Sequence, residues 1–199
     1  MRVQKFHFLS VIVGIVVGVV AFAAPVLASA GPEATVKATV EKVRSIVSEK
    51  EGKVASEALD KELKDVVTEA FDFDEMSRRC LGKNWKQATP EQRKEFVSLF
   101  SDLLAKNYLK KIRENITKSD IKYHAEKITD KKAELKTSVK YGEEDAIIEY
   151  RLREKSDGWR VYDVVIENVG LVTNYRNEFS GIVRKDGIEG LLKKLKEKK

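Results

Sequence analysis

The sequence predicts an α+β domain in which helices pack on one face of a twisted antiparallel sheet of about four strands. Three observations predict it. Apolar residues recur at helical spacing from Val36 to Leu104, switch to a period of two between Ile121 and Glu167, and return to helical spacing at Val172. Short turn signals, Tyr141-Gly142-Glu143-Glu144 and Asp157-Gly158, join the alternating runs, so neighbouring strands run antiparallel. The 199 residues are 42% hydrophobic and 35% charged, which suits one core beneath a heavily solvated surface.

The helices come first. Val36, Val40, Val43 and Val47 stripe one face of a helix that follows Gly31-Pro32 and ends at Gly52. Ser56 is placed to cap a second helix, with Leu59, Leu63, Val66, Val67 and Ala70 on its apolar side. Phe71-Asp72-Phe73-Asp74 breaks that pattern. Asp74 is expected to cap a short helix carrying Met76, Cys80 and Leu81, closed by Gly82. Thr89-Pro90-Glu91-Gln92 combines a capping box with Pro at the first helical position, and the helix it starts should reach about Asn115. The apolar residues of that helix, Phe96, Val97, Leu99, Phe100, Leu103 and Leu104, cover roughly 160° of arc at ~100° per residue. A surface helix with one packing partner needs a stripe nearer ~100°. This helix is therefore contacted on more than one side.

The strands follow. A weak strand covers Ile121 to Thr129. Ala133, Leu135, Thr137, Val139 and Tyr141 alternate with Lys132, Glu134, Lys136, Ser138 and Lys140, which gives a strand with one wet face. Ala146, Ile148, Tyr150 and Leu152 alternate with Ile147, Glu149, Arg151 and Arg153. In the last strand Tyr162, Val164 and Ile166 form one face, and Val161, Asp163, Val165 and Glu167 the other. Val172, Tyr175, Phe179 and Val183 then stripe a closing helix. Gly187 separates a final segment in which Ile188, Leu191, Leu192 and Leu195 sit among five lysines. Two readings of this basic amphipathic end are open. It packs on the domain with its lysines solvated, or it docks on acidic partner or lipid surfaces.

The N-terminus carries an export signature. Arg2 and Lys5 precede a charge-free run from Phe8 to Ala24, and Ala28-Ser29-Ala30 offers small residues at the positions a signal peptidase inspects. Cleavage is expected after Ala30, with an uncleaved anchor as the alternative. The chain thus divides into a signal peptide (1–30), a domain (31–186) and a Lys-rich C-terminal helix (187–199). Lys and Arg (38) are interspersed with Asp and Glu (32) at a formal net charge of +6, so no nucleic-acid footprint is present. Cys80, the single cysteine, allows no intramolecular disulfide and reads as a small buried hydrophobe.

Catalytic motifs are missing. There is no Cys-x-x-Cys, no His-Glu-x-x-His, no Gly-rich phosphate loop and no G-x-S-x-G elbow, and the chain cannot supply the ligands of a zinc site. No cofactor is implied. Asp72 and Asp74 read as turn and cap residues. Asp163, between valines, is expected to pair structurally with Arg78 or Arg79.

Two long blocks carry a resemblance. FDFDEMSRRCLGKNWKQATPEQRKEFVSLFSDLLAKNYLKKI, from Phe71, and WRVYDVVIENVGLVTNYRNEF, from Trp159 to Phe179, resemble the signatures of the MlaC family. These are the periplasmic phospholipid-binding components of the Mla lipid-asymmetry system, also called the toluene-tolerance auxiliary family. The resemblance runs from roughly Pro32 to Val183 and leaves the end from Lys185 outside it. It implies an NTF2-like cone, with acyl chains held between helices and a curved sheet and the head group towards solvent. It also implies a soluble, monomeric periplasmic carrier. Its partners would be phospholipid, an inner-membrane ABC transporter bearing an MCE-domain subunit, and an outer-membrane lipoprotein–porin complex.

With that implication, the excess apolar residues become candidates for a lipid cavity. They are Phe71, Met76, Trp85, Phe100, Leu103, Leu104 and Tyr108 on the helical side, Tyr150, Val164 and Ile166 on the sheet, and Val172 and Tyr175 on the closing helix. For each, plain core is the open alternative. Two other functions stay open: an envelope protein-interaction module with a filled core, and an NTF2-like enzyme, which would need an acid–base pair inside the cone.

Overall fold

A computed structural model describes residues 30–142 and 144–198. The expected signal peptide therefore falls, but for Ala30, outside the described residues. Five α-helices and six strands form: α1 (Pro32–Lys50), α2 (Ser56–Ala70), α3 (Phe73–Leu81), α4 (Pro90–Asn115), β1 (Asp120–Tyr123), β2 (Lys127–Thr129), β3 (Lys132–Tyr141), β4 (Glu144–Lys155), β5 (Gly158–Ile166), β6 (Val169–Gly170) and α5 (Leu171–Glu197). The order β1-β3-β4-β5-β6, with β2 also on β3, is an open antiparallel sheet in an α+β fold, as the periodicity predicts.

Local chemistry accounts for most boundaries. Thr89 caps α4 through Gln92 N–H, and Gln92 returns a bond to the Thr89 amide, so the capping box forms as read. Two cap assignments are corrected. Ala55, not Ser56, precedes α2, and no side chain caps that helix. Asp72, not Asp74, caps α3: its carboxylate accepts from Glu75 N–H at 3.0 Å, while Asp74 is exposed. Asp72 wins because it is buried and also faces Lys155 at 3.4 Å.

The weak strand splits in two. β1 pairs with the far half of β3 and β2 with its near half. Between them Glu126 turns inward and accepts from Glu33 N–H at 2.8 Å in the first turn of α1. A carboxylate at a helix N-terminus satisfies an orphan donor and opposes the helix dipole favourably.

A bulge corrects the face assignment of β5. Arg151 pairs with Asp163 and Leu152 with Val161, so Tyr162 has no partner across β4. One extra residue reverses the alternation. Val161 accordingly joins Val164 on the α1 side, and Tyr162 joins the cluster of α3, α4 and α5. β5 is buried on both faces, which no one-faced pattern signals.

Three clusters hold the fold. In the largest, Phe96, Phe100, Tyr175 and Phe179 lock α4 to α5 with ring centroids 5.2 to 5.7 Å apart. Such ring pairs add about 0.5–1.5 kcal/mol each beyond area burial. A second joins α1, α2 and the distal half of α4 through Val43, Val47, Leu63 and Leu109. The third seals one end of the sheet with Val36, Leu135, Leu152 and Trp159. α4 thus has two sets of partners, which is what its wide apolar arc requires.

Buried charge ties β5 and α3 in place. Asp163 accepts from Val172 N–H at 3.0 Å at the start of α5 and faces Arg151 at 3.4 Å. The expected pairing with Arg78 or Arg79 does not form. Those arginines lie three and four residues from Glu75 on one helix and each reaches its carboxylate at 2.7 Å.

The C-terminal segment packs on the domain. α5 bends at Gly187, whose φ of 70° suits glycine, and Leu191, Leu192 and Leu195 are buried in the aromatic cluster. Lys196 and Lys198 pair with Glu95 and Glu178 at 2.6 and 3.0 Å. The apolar stripe is consumed in the core and is not free to lie on a membrane. Leu191→Ala should therefore cost about 2–5 kcal/mol. Urea unfolding that shows under ~0.5 kcal/mol, the range of a surface substitution, would contradict this packing.

A second prediction concerns acid. Burial pushes the Glu75 carboxyl up, but hydrogen bonds from Arg78 and Arg79 outweigh burial and hold it below its ordinary 4.5. A carboxyl lowered on folding contributes stability that is present above its unfolded value and lost as pH falls through its folded value. Asp163 runs the other way, raised by burial, so the comparison must isolate Glu75. The stability gap between wild type and Glu75→Gln should be full near neutral pH and shrink below pH ~4.5. Chemical unfolding at both conditions measures it, and a gap independent of pH removes Glu75 as the cause.

Candidate functional site

Between the three clusters lies a cavity of about 730 Å³. α1, α2 and α4 form one wall, the inner sheet face the other, and β6 with the start of α5 borders it. The lining explains why the space stays open. Facing positions carry short side chains: Val36, Val40 and Val43 on α1, Ser101 and Ala105 on α4, Val139, Ala146 and Val164 on the sheet. Phe96 and Phe100 of α4 are buried in the aromatic cluster instead, while Tyr108 borders the cavity. Helix and sheet are held apart at their ends by packed clusters, and valines and alanines between them are too short to meet.

The wall is mostly apolar, with neutral polar side chains from Thr39, Thr68, Ser101, Asn115, Ser119 and Asn174. Lys64 and Lys111 are the charged residues of the lining, and no Asp or Glu lines the cavity among the described residues. Lys64 Nζ donates to Asp102 across α2 and α4. Tyr150 presents its ring to the space. Burial pushes its phenol up to about 12, so it is a neutral hydroxyl at neutral pH, within reach of Thr137. Exposed lining residues, Thr68, Lys111, Val169 and Asn174, mark the water-facing parts of the wall.

Phe71, Leu104, Tyr108, Tyr150, Val164 and Ile166 all line this cavity. The structure places the other candidates elsewhere. Met76, Phe100, Leu103, Val172 and Tyr175 are buried in the aromatic cluster, and Trp85 packs against that cluster with the Arg93 guanidinium 5.3 Å over its ring. Both groups sit on the same apolar arc of α4 and its neighbours, and arc width does not say which edge faces empty space.

The sequence reading missed Ile112, Ile116, Ile121 and Leu171, which also line the wall. A signal existed for two of them. Leu104, Tyr108, Ile112 and Ile116 recur every fourth residue, one straight edge of α4. Val36, Val40, Val43, Val139 and Ile148 were visible as apolar stripes but not as cavity lining.

Chemically, the space suits apolar bulk. Cys80 lies outside it, fully buried, its thiol pushed up to about 12 by burial and by Asp163. That thiol is protonated at neutral pH and has no nucleophilic character there. Among the described residues no group of three or more His, Cys, Asp or Glu side chains is placed to hold a metal ion.

The comparisons with known proteins agree with this architecture. A solved structure of a phospholipid-binding protein from Ralstonia solanacearum, in complex with a phospholipid, superposes with a TM-score of 0.77 at 26% identity, covering 84% of this chain and 96% of that one. The intermembrane phospholipid transport system binding protein MlaC of Haemophilus influenzae is 25% identical over 125 residues, which are 60% of this chain and 58% of that protein's length. The MlaC protein family model matches residues 37–197. The match reaches into the Lys-rich end, which the sequence resemblance had left out; Leu191, Leu192 and Leu195 in the core account for that extension. The chain belongs to the MlaC family.

Proposed function

We propose that this protein is a periplasmic phospholipid carrier that encloses acyl chains in the cavity between α4 and the sheet. The observation that carries the reading is the cavity itself: about 730 Å³ of apolar-walled space in a domain with three well-packed clusters around it. Membership of the MlaC family and the phospholipid held by the Ralstonia relative support the same ligand class.

Burying acyl chain gains about 0.8 kcal/mol per methylene. A carrier must offer a comparable environment, or the lipid stays in its membrane. It needs few polar anchors for that, and the lining supplies few. The family also supports the wider role: a monomer, released by signal cleavage near Ala30, that passes lipid between an outer-membrane lipoprotein–porin complex and an inner-membrane ABC transporter with an MCE-domain subunit. Binding and release carry this role, and no catalytic step enters it.

Organic extraction of the purified protein, followed by mass spectrometry, tests the ligand. Diacyl phospholipid should be recovered, and an extract empty of lipid would overturn the reading. Two variants then locate the chains. Val164→Trp places a ring in the cavity, so bound lipid should fall while the unfolding midpoint stays near wild type. Phe100→Ala, in the aromatic cluster, should instead cost about 3–5 kcal/mol of stability. If Val164→Trp keeps both its fold and its full load of lipid, the chains lie elsewhere.

A further inference from the structure

α4 ends with three cations in its last two turns, and they differ. Lys110 faces Glu114 at 4.0 Å, and Arg113 holds Glu51 and Asp60 at 3.2 and 2.8 Å. Lys111 lines the cavity, is exposed, and among the described residues has no carboxylate in ion-pair range. The other lining cation, Lys64, is committed to Asp102. The backbone at Lys111 is fixed, since its carbonyl accepts from Asn115 Nδ2 at 2.8 Å. No acidic residue among the described lining would repel an anion.

From this arrangement, and resting on the carrier reading, we infer that Lys111 anchors the phosphate of the bound lipid at the rim of the cavity. A phosphate cannot follow the chains inward, because an unpaired charge in an apolar space is far too costly. It stops where wall meets water. There a lysine can lay its aliphatic stem along the apolar wall and keep its ammonium at the surface, three donors on a flexible arm. The ligand class so selected is a phosphate-bearing diacyl lipid over a neutral diacylglycerol with the same chains. A rim contact of this kind also leaves the head group beyond the phosphate in water.

The test compares two probes on delipidated full-length protein: phosphatidylglycerol and diacylglycerol with identical short acyl chains, titrated calorimetrically at low salt. The readout is the ratio of their dissociation constants. Lys111→Gln should reduce the preference for the phospholipid by about three- to tenfold, the range of a partly screened charge-assisted contact. Lys111→Arg should keep it, and molar salt should erode it in the wild type. An unchanged ratio in Lys111→Gln, at an unchanged unfolding midpoint, overturns the anchor while the apolar carrier stands. If the wild type binds neither probe, the carrier reading falls and the anchor with it.

Discussion

Everything in this fold depends on α4 serving two cores at once. Its proximal half carries Phe96 and Phe100 into a ring cluster with Tyr175 and Phe179. Its distal half carries Leu109 into the cluster of α1 and α2. Pinned at both ends, the helix cannot drop onto the sheet. The edge that faces the sheet, from Leu104 to Ile116, therefore looks into space. In an ordinary domain such a gap closes by relaxation, because each unfilled volume forfeits dispersion and transfer energy. Here closing it would mean prying apart two clusters that are already well packed.

β5 is the second fixed element, and its fixing is electrostatic as well as apolar. The buried carboxylate of Asp163 takes the Val172 amide and so places the start of α5 against the strand. Asp72 N–H donates to Val161 O at 2.8 Å, and the Asp72 side chain caps α3. Both acids lie on the polypeptide beside cavity residues: Phe71 and Phe73 flank Asp72, and Val164 follows Asp163. The bulge at Tyr162 lets this one strand serve two cores. It sends Val161 and Val164 to the cavity side and Tyr162 to the aromatic cluster, where the Arg79 guanidinium lies 4.2 Å over its ring. An uninterrupted alternation could not do both.

The sequence disclosed what depends on period and local capping. The Thr89 box, the hairpin at Asp157-Gly158, the run of strands and the bend at Gly187 are all written in neighbouring residues. It concealed what depends on a third element. The bulge arises from a register between strands that no single strand encodes. Asp72 displaces Asp74 as a cap because of burial beside β4, and Asp163 chooses Arg151 because Glu75 already holds Arg78 and Arg79. The division of the apolar residues was hidden for the same reason. Phe100 and Leu104 are one turn apart on α4 and belong to the same aromatic cluster, yet Leu104 also borders the cavity and Phe100 does not. What separates them is which neighbours are bulky and which are valine or alanine, a property of the facing wall.

On the carrier reading proposed above, that facing wall would suit transfer better than storage. A chain moving from bilayer to cavity exchanges one hydrocarbon environment for another, so the large hydrophobic terms cancel and the small ones decide. A tight jigsaw around the chains would add dispersion energy and slow release. The valines and alanines of this wall, set among larger residues such as Phe71, Tyr108 and Tyr150, instead leave volume that the protein itself does not fill. Close packing is concentrated in the three clusters, and the volume between them stays open. On the carrier reading, head-group selectivity then falls to the polar atoms at the border of the space, because the interior is mostly hydrocarbon.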